Sequence, residues 1–374
     1  MVVTLLVLDR PTYINYEPSP STAYGEWNNI SFSYIDILTS MEILNSSQLL
    51  VSLNDPGLTY QLFYNDATGM FTISIDTGTL LGIGSHTIHL NLTWMGVPFY
   101  ASVGNQELVV TVVERVTQLT HSAVAPTQWG NNVTIEFTFT DLVTGTSVGM
   151  TGTLTLDVSS LKYTVIALGD GHFLVILNTT AFPSNGIYAI NATIVHTNPN
   201  YASAIDIFDI SILNRLTQFG YDSPDPAPYE SNLTLVVHYA DDSTGQGIAG
   251  ADISVTGNST FALVKDSNYW VQYLGDGHYL IEIDTIALGA PSVYLLTVSV
   301  TYSGEPFYLP SARNIVTSVV QRTAQILVTK TPGETPFLEN ITIRFKFEDF
   351  LLGTKIIIDK SDITLTHGLL HTII

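Results

Sequence analysis

The 374-residue sequence predicts an all-β protein, a string of two-sheet sandwiches of about 105 residues each. Three observations carry that expectation. A set of landmarks recurs in one order at one period. Short segments alternate apolar and polar residues. Gly, Pro, Asn and Asp interrupt the chain every ten or so positions, as antiparallel strands joined by tight turns require.

The first landmark is shared by "GEWNNISFSYIDI", "WGNNVTIEFTFTD", "YESNLTLVVHYAD" and "LENITIRFKFED". Aligned on N-x-[ST], these place Asn29, Asn132, Asn232 and Asn340 in register, each with an aromatic just upstream: Trp27, Trp129, Tyr229 and Phe337. Val133, Ile135, Phe137 and Phe139 alternate with Thr134, Glu136, Thr138 and Thr140, so one strand face meets a core and the other meets water. A second landmark aligns Gly69, Gly171 and Gly277, with Asp76, Asn178 or Asp284 seven residues further on. The third is "GSHTIHLNLT", "NGIYAINATI" and "PSVYLLTVSV"; the fourth puts Tyr100, Tyr201 and Tyr308 in register. The last is a boundary arginine at Arg10, Arg115, Arg215 and Arg322. The expected organisation is three full repeats over 11–115, 116–215 and 216–322. Residues 1–10 read as the last strand of a preceding repeat, and 323–374 as a truncated one.

Apolar residues make up 45% of the chain, enough to build cores, whereas charged residues reach only 12%. The 33 acids against 12 Lys and Arg give a net charge of −21, which opposes attraction to nucleic acid or anionic lipid. With no cysteine, disulfides, thiolate metal sites and cysteine nucleophiles are excluded. No apolar run is long enough to span a bilayer, so no transmembrane segment is expected within this chain. Any export signal or anchor is expected outside it.

About 100 residues with some seven short strands favour a sandwich. In the third landmark a Tyr near the strand start precedes a core position by two residues: Tyr188 with Ile190, Tyr294 with Leu296. This resembles the corresponding immunoglobulin-like strand, with an aliphatic residue where antibody domains carry Cys. The first repeat departs from it by placing His86 at the Tyr position. The chain as a whole resembles the tandem immunoglobulin-like repeats of prokaryotic cell-surface and extracellular proteins. That resemblance implies a non-catalytic spacer or adhesion region, membrane-associated through its parent protein. Its expected partners are neighbouring repeats and an unidentified surface protein or glycan. The alternative is an accessory region, carbohydrate-binding or not, of a larger secreted enzyme.

"LGDGH" occurs at 168–172 and again at 274–278. Asp-Gly between two alternating runs is a hairpin corner, because both residues take positive φ at low cost. His172 and His278 then lie opposite Phe173 and Tyr279, with no second acid, nucleophile or ligand expected beside them. No catalytic, cofactor or metal residues are assigned, and no enzyme activity is expected. Asp141, Asp241 and Asp349 each end a strand four residues before a Gly and read as turn caps. Calcium bound by such acids is the competing reading. The boundary arginines have two readings: a strand-end pair with a local acid such as Glu114, or a bridge to the next repeat. Nine sequons are candidate glycan acceptors on an exported chain: Asn29, Asn45, Asn91, Asn132, Asn178, Asn191, Asn232, Asn258 and Asn340. The plain alternative is that Asn and Thr stock water-facing strands where Lys and Glu are scarce. The aromatics Trp94, Phe99, Tyr100, Phe307 and Tyr308 lie near one repeated loop; core packing accounts for most of them, and a sugar would need them exposed and coplanar.

Overall fold

A computed structural model of the chain describes residues 6–44, 46–80, 82–149, 152–257, 262–330 and 333–358. Chain contacts divide it into two compact units, Met1–Ile212 and Leu213–Ile374. The first unit holds two sandwiches; the second holds one sandwich and a further strand pair, Ala324–Lys330 with Arg344–Asp349.

Each sandwich is made of two four-stranded sheets in one strand order, the first adding the short strand Met41–Glu42. In the middle sandwich one sheet runs Thr117–His121, Asn132–Asp141, His172–Asn178, Tyr163–Gly169. The facing sheet runs Thr127–Gln128, Ala204–Leu213, Gly186–His196, Gly152–Leu156. This is the immunoglobulin-like arrangement. In each sandwich the chain crosses between sheets directly after its first strand, and prolines mark the crossing: Pro18 and Pro20, Pro126, Pro224 and Pro226. Lacking an N–H, these prolines cannot donate to the first ladder, so the first strand breaks and its tail joins the other sheet. There the tail pairs in parallel, Thr22 beside Val112 and Ala227 beside Val319.

Alternation places the cores as expected. Ile135, Phe137, Phe139, Val175, Leu177, Ile194 and Ile210 are buried in the middle sandwich, while Thr134, Glu136 and His172 face water. Each such apolar side chain contributes about 1.5–3 kcal/mol on burial. Leu235, Val237, Ile281 and Val298 form the separate core of the third sandwich, and Ile30, Phe32, Ile73 and Leu90 that of the first. Thr285–Leu288, a single turn, is the one α-helix among the described residues.

The second landmark works as a cap. Asp76, Asn178 and Asp284 accept the N–H two residues on, each at 2.9 Å. The next residue, Thr77, Thr179 or Thr285, is fully buried and donates its hydroxyl to loop carbonyls such as Glu26, Asn131 and Ser231. The third landmark also acts through one bond. Tyr188 donates to the Ser184 carbonyl at 3.0 Å, and Tyr294 donates to that of Ala290. His86 Nε2 lies 2.9 Å from the Gly82 carbonyl, again four residues upstream, so it does the work of the tyrosine it replaces.

The first landmark needs a correction. Asn132 pairs with Asn178 and Asn232 with Asp284, but it is Trp27, not Asn29, that pairs with Asp76. Trp27 is therefore the structural counterpart of Asn132 and Asn232, and the upstream aromatic of the first repeat is Tyr24. Like Trp129 and Tyr229, Tyr24 packs against its own core. The sequon alignment was two residues out of register in the first repeat.

Both "LGDGH" stretches are two-residue corners. Asp170 and Gly171 have φ of 46° and 73°, and Asp276 and Gly277 have 47° and 76°. A Cβ on Gly171 would lie 2.6 Å from the carbonyl oxygens of Phe139 and Val148. Gly145 also has positive φ, 71°, but nothing within 4 Å of a would-be Cβ. Gly145→Ala is expected to cost about 1–2 kcal/mol, the price of a left-handed alanine alone. Gly171→Ala adds backbone overlap and is expected to cost about 2–4 kcal/mol. Urea unfolding of the two variants checks the difference, and equal losses would refute the close-approach argument.

Candidate functional site: an arginine joint

The boundary arginine is placed first by its backbone. The Arg115 N–H donates to the Asn200 carbonyl at 2.8 Å, and the Arg115 carbonyl accepts from Ala202 N–H at 2.9 Å. Arg115 thus lies parallel beside Tyr201, as Arg10 lies beside Tyr100 and Arg215 beside Tyr308. Two residues on, Thr12, Thr117 and Thr217 donate hydroxyls to Ala101, Ala202 and Leu309 carbonyls, at 2.6, 2.8 and 3.0 Å. Arg10, Arg115 and Arg215 are therefore each clipped to the sandwich that follows them in sequence.

Its side chain then meets an aspartate 26 or 27 residues further on. The pairs are Arg10–Asp36, Arg115–Asp141, Arg215–Asp241 and Arg322–Asp349, the third at 2.7 Å and the fourth at 2.5 Å. These aspartates are buried, Asp141 at 5% exposure. In each, one carboxylate oxygen takes the arginine. The other accepts backbone N–H groups: Leu38, Val143, Ser243 with Thr244, and Leu351 with Leu352. The aspartate carbonyl closes the same turn by accepting from Ser40, Gly145, Gly245 or Gly353 at 2.8 Å. The turn-cap expectation for Asp141, Asp241 and Asp349 is met. Asp36 completes the set, with Ser40 at φ 56° where the others have Gly.

The electrostatics follow. Burial alone would raise the Asp141 carboxyl, but Arg115 and the Val143 N–H outweigh it and hold the group below the usual carboxylate range. Burial would raise Asp241 as well, and Arg215 and Ser243 outweigh it and hold that carboxyl well below the usual range. Arg115 is desolvated too, yet Asp141 and Glu26 raise its pKa above the ordinary guanidinium value.

The outer edge of the guanidinium reaches the preceding sandwich. Arg115 Nη1 donates to the Tyr24 carbonyl at 2.8 Å and meets Glu26 at 3.0 Å. The turn that offers them passes through Gly25 at φ 81°, where a Cβ would lie 3.2 Å from Arg115 Nη1. In the second unit, Arg322 meets Glu230 at 2.8 Å from the equivalent turn, where Glu230 itself takes φ 60°. Of the two readings of the boundary arginine, the partner is thus not Glu114 but a buried aspartate, and for Arg115 and Arg322 the bridge to the neighbouring repeat forms as well.

The remaining candidates do not converge. His172 faces water beside Thr138 at 3.2 Å. Among the described residues no group of three or more His, Cys, Asp or Glu is placed to hold a metal ion. The loop aromatics pack edge-on rather than as a platform, with Trp94 and Tyr100 at an interplanar angle of 79° and Tyr302 and Tyr308 at 68°. Asn29, Asn132, Asn191, Asn232 and Asn340 are exposed, and Asn91 and Asn178 half-buried. Asn191 is tied through its amide to Asp157 at 2.7 Å. Asn45, Asn258, and the histidines at 367 and 371 lie outside the described residues. Among those described, no helix is long and apolar enough to cross a membrane.

Fold and joint together define a tandem immunoglobulin-like β-sandwich chain. No family model and no curated protein matches it. Among solved structures it is similar to invasin, a bacterial integrin-binding protein, at 14% identity over 90% of this chain and 67% of that one, TM-score 0.37. It is similar to FdeC, an Escherichia coli adhesin, at 15% identity over 85% and 100%, TM-score 0.25. An endo-fucoidan hydrolase of glycoside hydrolase family 107 is similar at 14% identity over 84% and 45%, TM-score 0.24.

Removing one partner of a buried pair leaves the other uncompensated, so Arg115→Ala is expected to cost on the order of 3 kcal/mol. Glu26→Gln, whose partner contact is more exposed, is expected to cost about 0–1 kcal/mol. Asp141 titrates lower folded than unfolded, so its contribution is present above about pH 4 and is lost as pH falls through the folded value. The gap between wild type and Arg115→Ala should therefore be widest near neutrality and shrink below about pH 4. Denaturant unfolding across that range measures it, and a pH-independent gap would contradict the pair.

Proposed function

We propose that the chain is a non-catalytic spacer or adhesion region of an extracellular or cell-surface protein, of the kind carried by prokaryotes. Repeats at 11–115, 116–215 and 216–322, flanked by parts at 1–10 and 323–374, would follow one another, with arginine joints at Arg115 and Arg322. The observation that carries this reading is Arg115, which binds Asp141 on one side and the Tyr24 carbonyl and Glu26 on the other. A bond network of this kind resists bending between two sandwiches, and resistance to bending is what a spacer needs to hold a binding element away from a surface. Neighbouring repeats are then the first partners; a surface protein or glycan would meet loops or exposed faces. The edge-on loop aromatics speak against a sugar platform in this segment, so carbohydrate binding by an accessory region of a secreted enzyme is the weaker reading.

Residual dipolar couplings test the joint in the full chain. Residues 12–113 and 117–212 are expected to share one alignment tensor in the wild type and to separate in Arg115→Ala, with circular dichroism unchanged. A shared tensor in the variant would remove the joint from the reading. Glycosylation is tested on native material: peptide mass spectrometry is expected to find glycan at Asn132 and Asn232, which are exposed and occupy one register position. Bare asparagine at both would end that part of the proposal.

A further inference from the structure

The histidine corner of the third sandwich differs from its counterpart in the second. Across the sheet, His238 pairs with His278, Gly220 lies beside His238, and Gly275 lies beside His278. The row reads Gly, His, His, Gly, so the two imidazoles stand with no side chain flanking them in the row. The same row in the second sandwich is Thr120, Thr138, His172, Gly169, with one histidine only. The rings of His238 and His278 face each other with centroids 4.5 Å apart and planes inclined at 37°. They line an open hollow of about 450 Å³, completed by Gly245, Gln246, Gly247 and Asp276.

We infer that His238 and His278 form a two-imidazole site for a borderline divalent transition metal, with Cu²⁺ favoured over Zn²⁺ and Ni²⁺. Imidazole nitrogens bind such ions at about 2.0–2.1 Å, so two ligands on one ion stand about 3 Å apart, within reach of rings held this closely. Copper leads because divalent affinity at nitrogen sites peaks there. Both side chains project outward from strands whose other faces are core, so the sheet fixes the pair without the ion. Asp276 at the mouth and the chain's net charge of −21 favour an arriving cation. Water completes the coordination in the hollow.

The test is titration of the full chain with CuCl₂ alone, read by calorimetry and electron paramagnetic resonance. One ion per chain is expected, with hyperfine coupling to two nitrogens. His238→Gln and His278→Gln should each weaken it at least tenfold and remove one nitrogen, whereas His172→Gln should leave it unchanged. Unaltered affinity in His278→Gln would overturn the site, as would loss of binding on joint substitution of His367 and His371. In the wild type, sub-stoichiometric Cu²⁺ should broaden the ring protons of His238 and His278 before any other histidine. Earlier broadening elsewhere would also overturn it.

Discussion

The structure turns on an arginine paired with a buried aspartate, repeated at every sandwich entrance and most fully desolvated at Arg115. Burying Asp141 beside Arg115 is tolerable only if each polar atom finds a partner, because the cost of stripping water from two charges exceeds their attraction unless geometry is complete. Here it is nearly complete. One carboxylate oxygen takes the guanidinium, and the other takes the Val143 N–H of the turn it caps. The arginine backbone meanwhile bonds to the loop at Asn200 and Ala202. Three segments far apart in sequence are thereby held at one point: the strand that opens the sandwich, the turn that ends its long central strand, and the loop between its last two strands.

The choice of arginine follows from the same geometry. A lysine presents a point charge, while the planar fork of arginine offers Nε to one acceptor and Nη to another on a different side. Arg115 uses both sides, the aspartate within its own sandwich and the Tyr24 carbonyl with Glu26 in the one before. Four of the six arginines in the chain stand at this one position. In a protein with so few cations, that concentration places most of the guanidinium charge against the buried aspartates. Solubility is left to acids, Thr, Ser and Asn on the outer faces. The usual protection of edge strands by lysine is scarce for the same reason. The edges are blunted instead by proline breaks in the first strand and by bulges at Ala167/Gly169 and Tyr273/Gly275.

Much of this was legible from residue order. The Asp-Gly corners, the alternating strands and the strand-start tyrosines are local signals, each carried by residues within a few positions of one another. The arginine and its aspartate were each visible as recurring landmarks, but not as partners. Their separation of 26 residues has no local periodicity to join them, and only the fold brings them together. The register of the first repeat failed for a different reason. A slip of one residue turns the apolar set outward and is detectable in the pattern, whereas a slip of two preserves the alternation. Asn29 for Trp27 was such a slip, encouraged by a sequon that recurs without marking the same place. His238 beside His278 was missed in the same way as the ion pair, since cross-strand neighbours 40 residues apart leave no trace in spacing.

What recurs along the chain is therefore a set of bonds more than a set of residues. His86 makes to Gly82 the bond that Tyr188 makes to Ser184. Ser40 closes the turn that Gly145, Gly245 and Gly353 close elsewhere. Glu26 and Glu230 stand one position apart in equivalent turns, yet each brings a carboxylate to the arginine that follows. A side chain can be exchanged wherever another delivers a donor or acceptor to the same point. By contrast, the aspartate that must satisfy a cap and a guanidinium at once has no such substitute. Glutamate is one methylene too long to cap the turn two residues on, and asparagine lacks the charge that offsets a buried arginine. That asymmetry explains why Asp36, Asp141, Asp241 and Asp349 keep one identity while the residues around them drift.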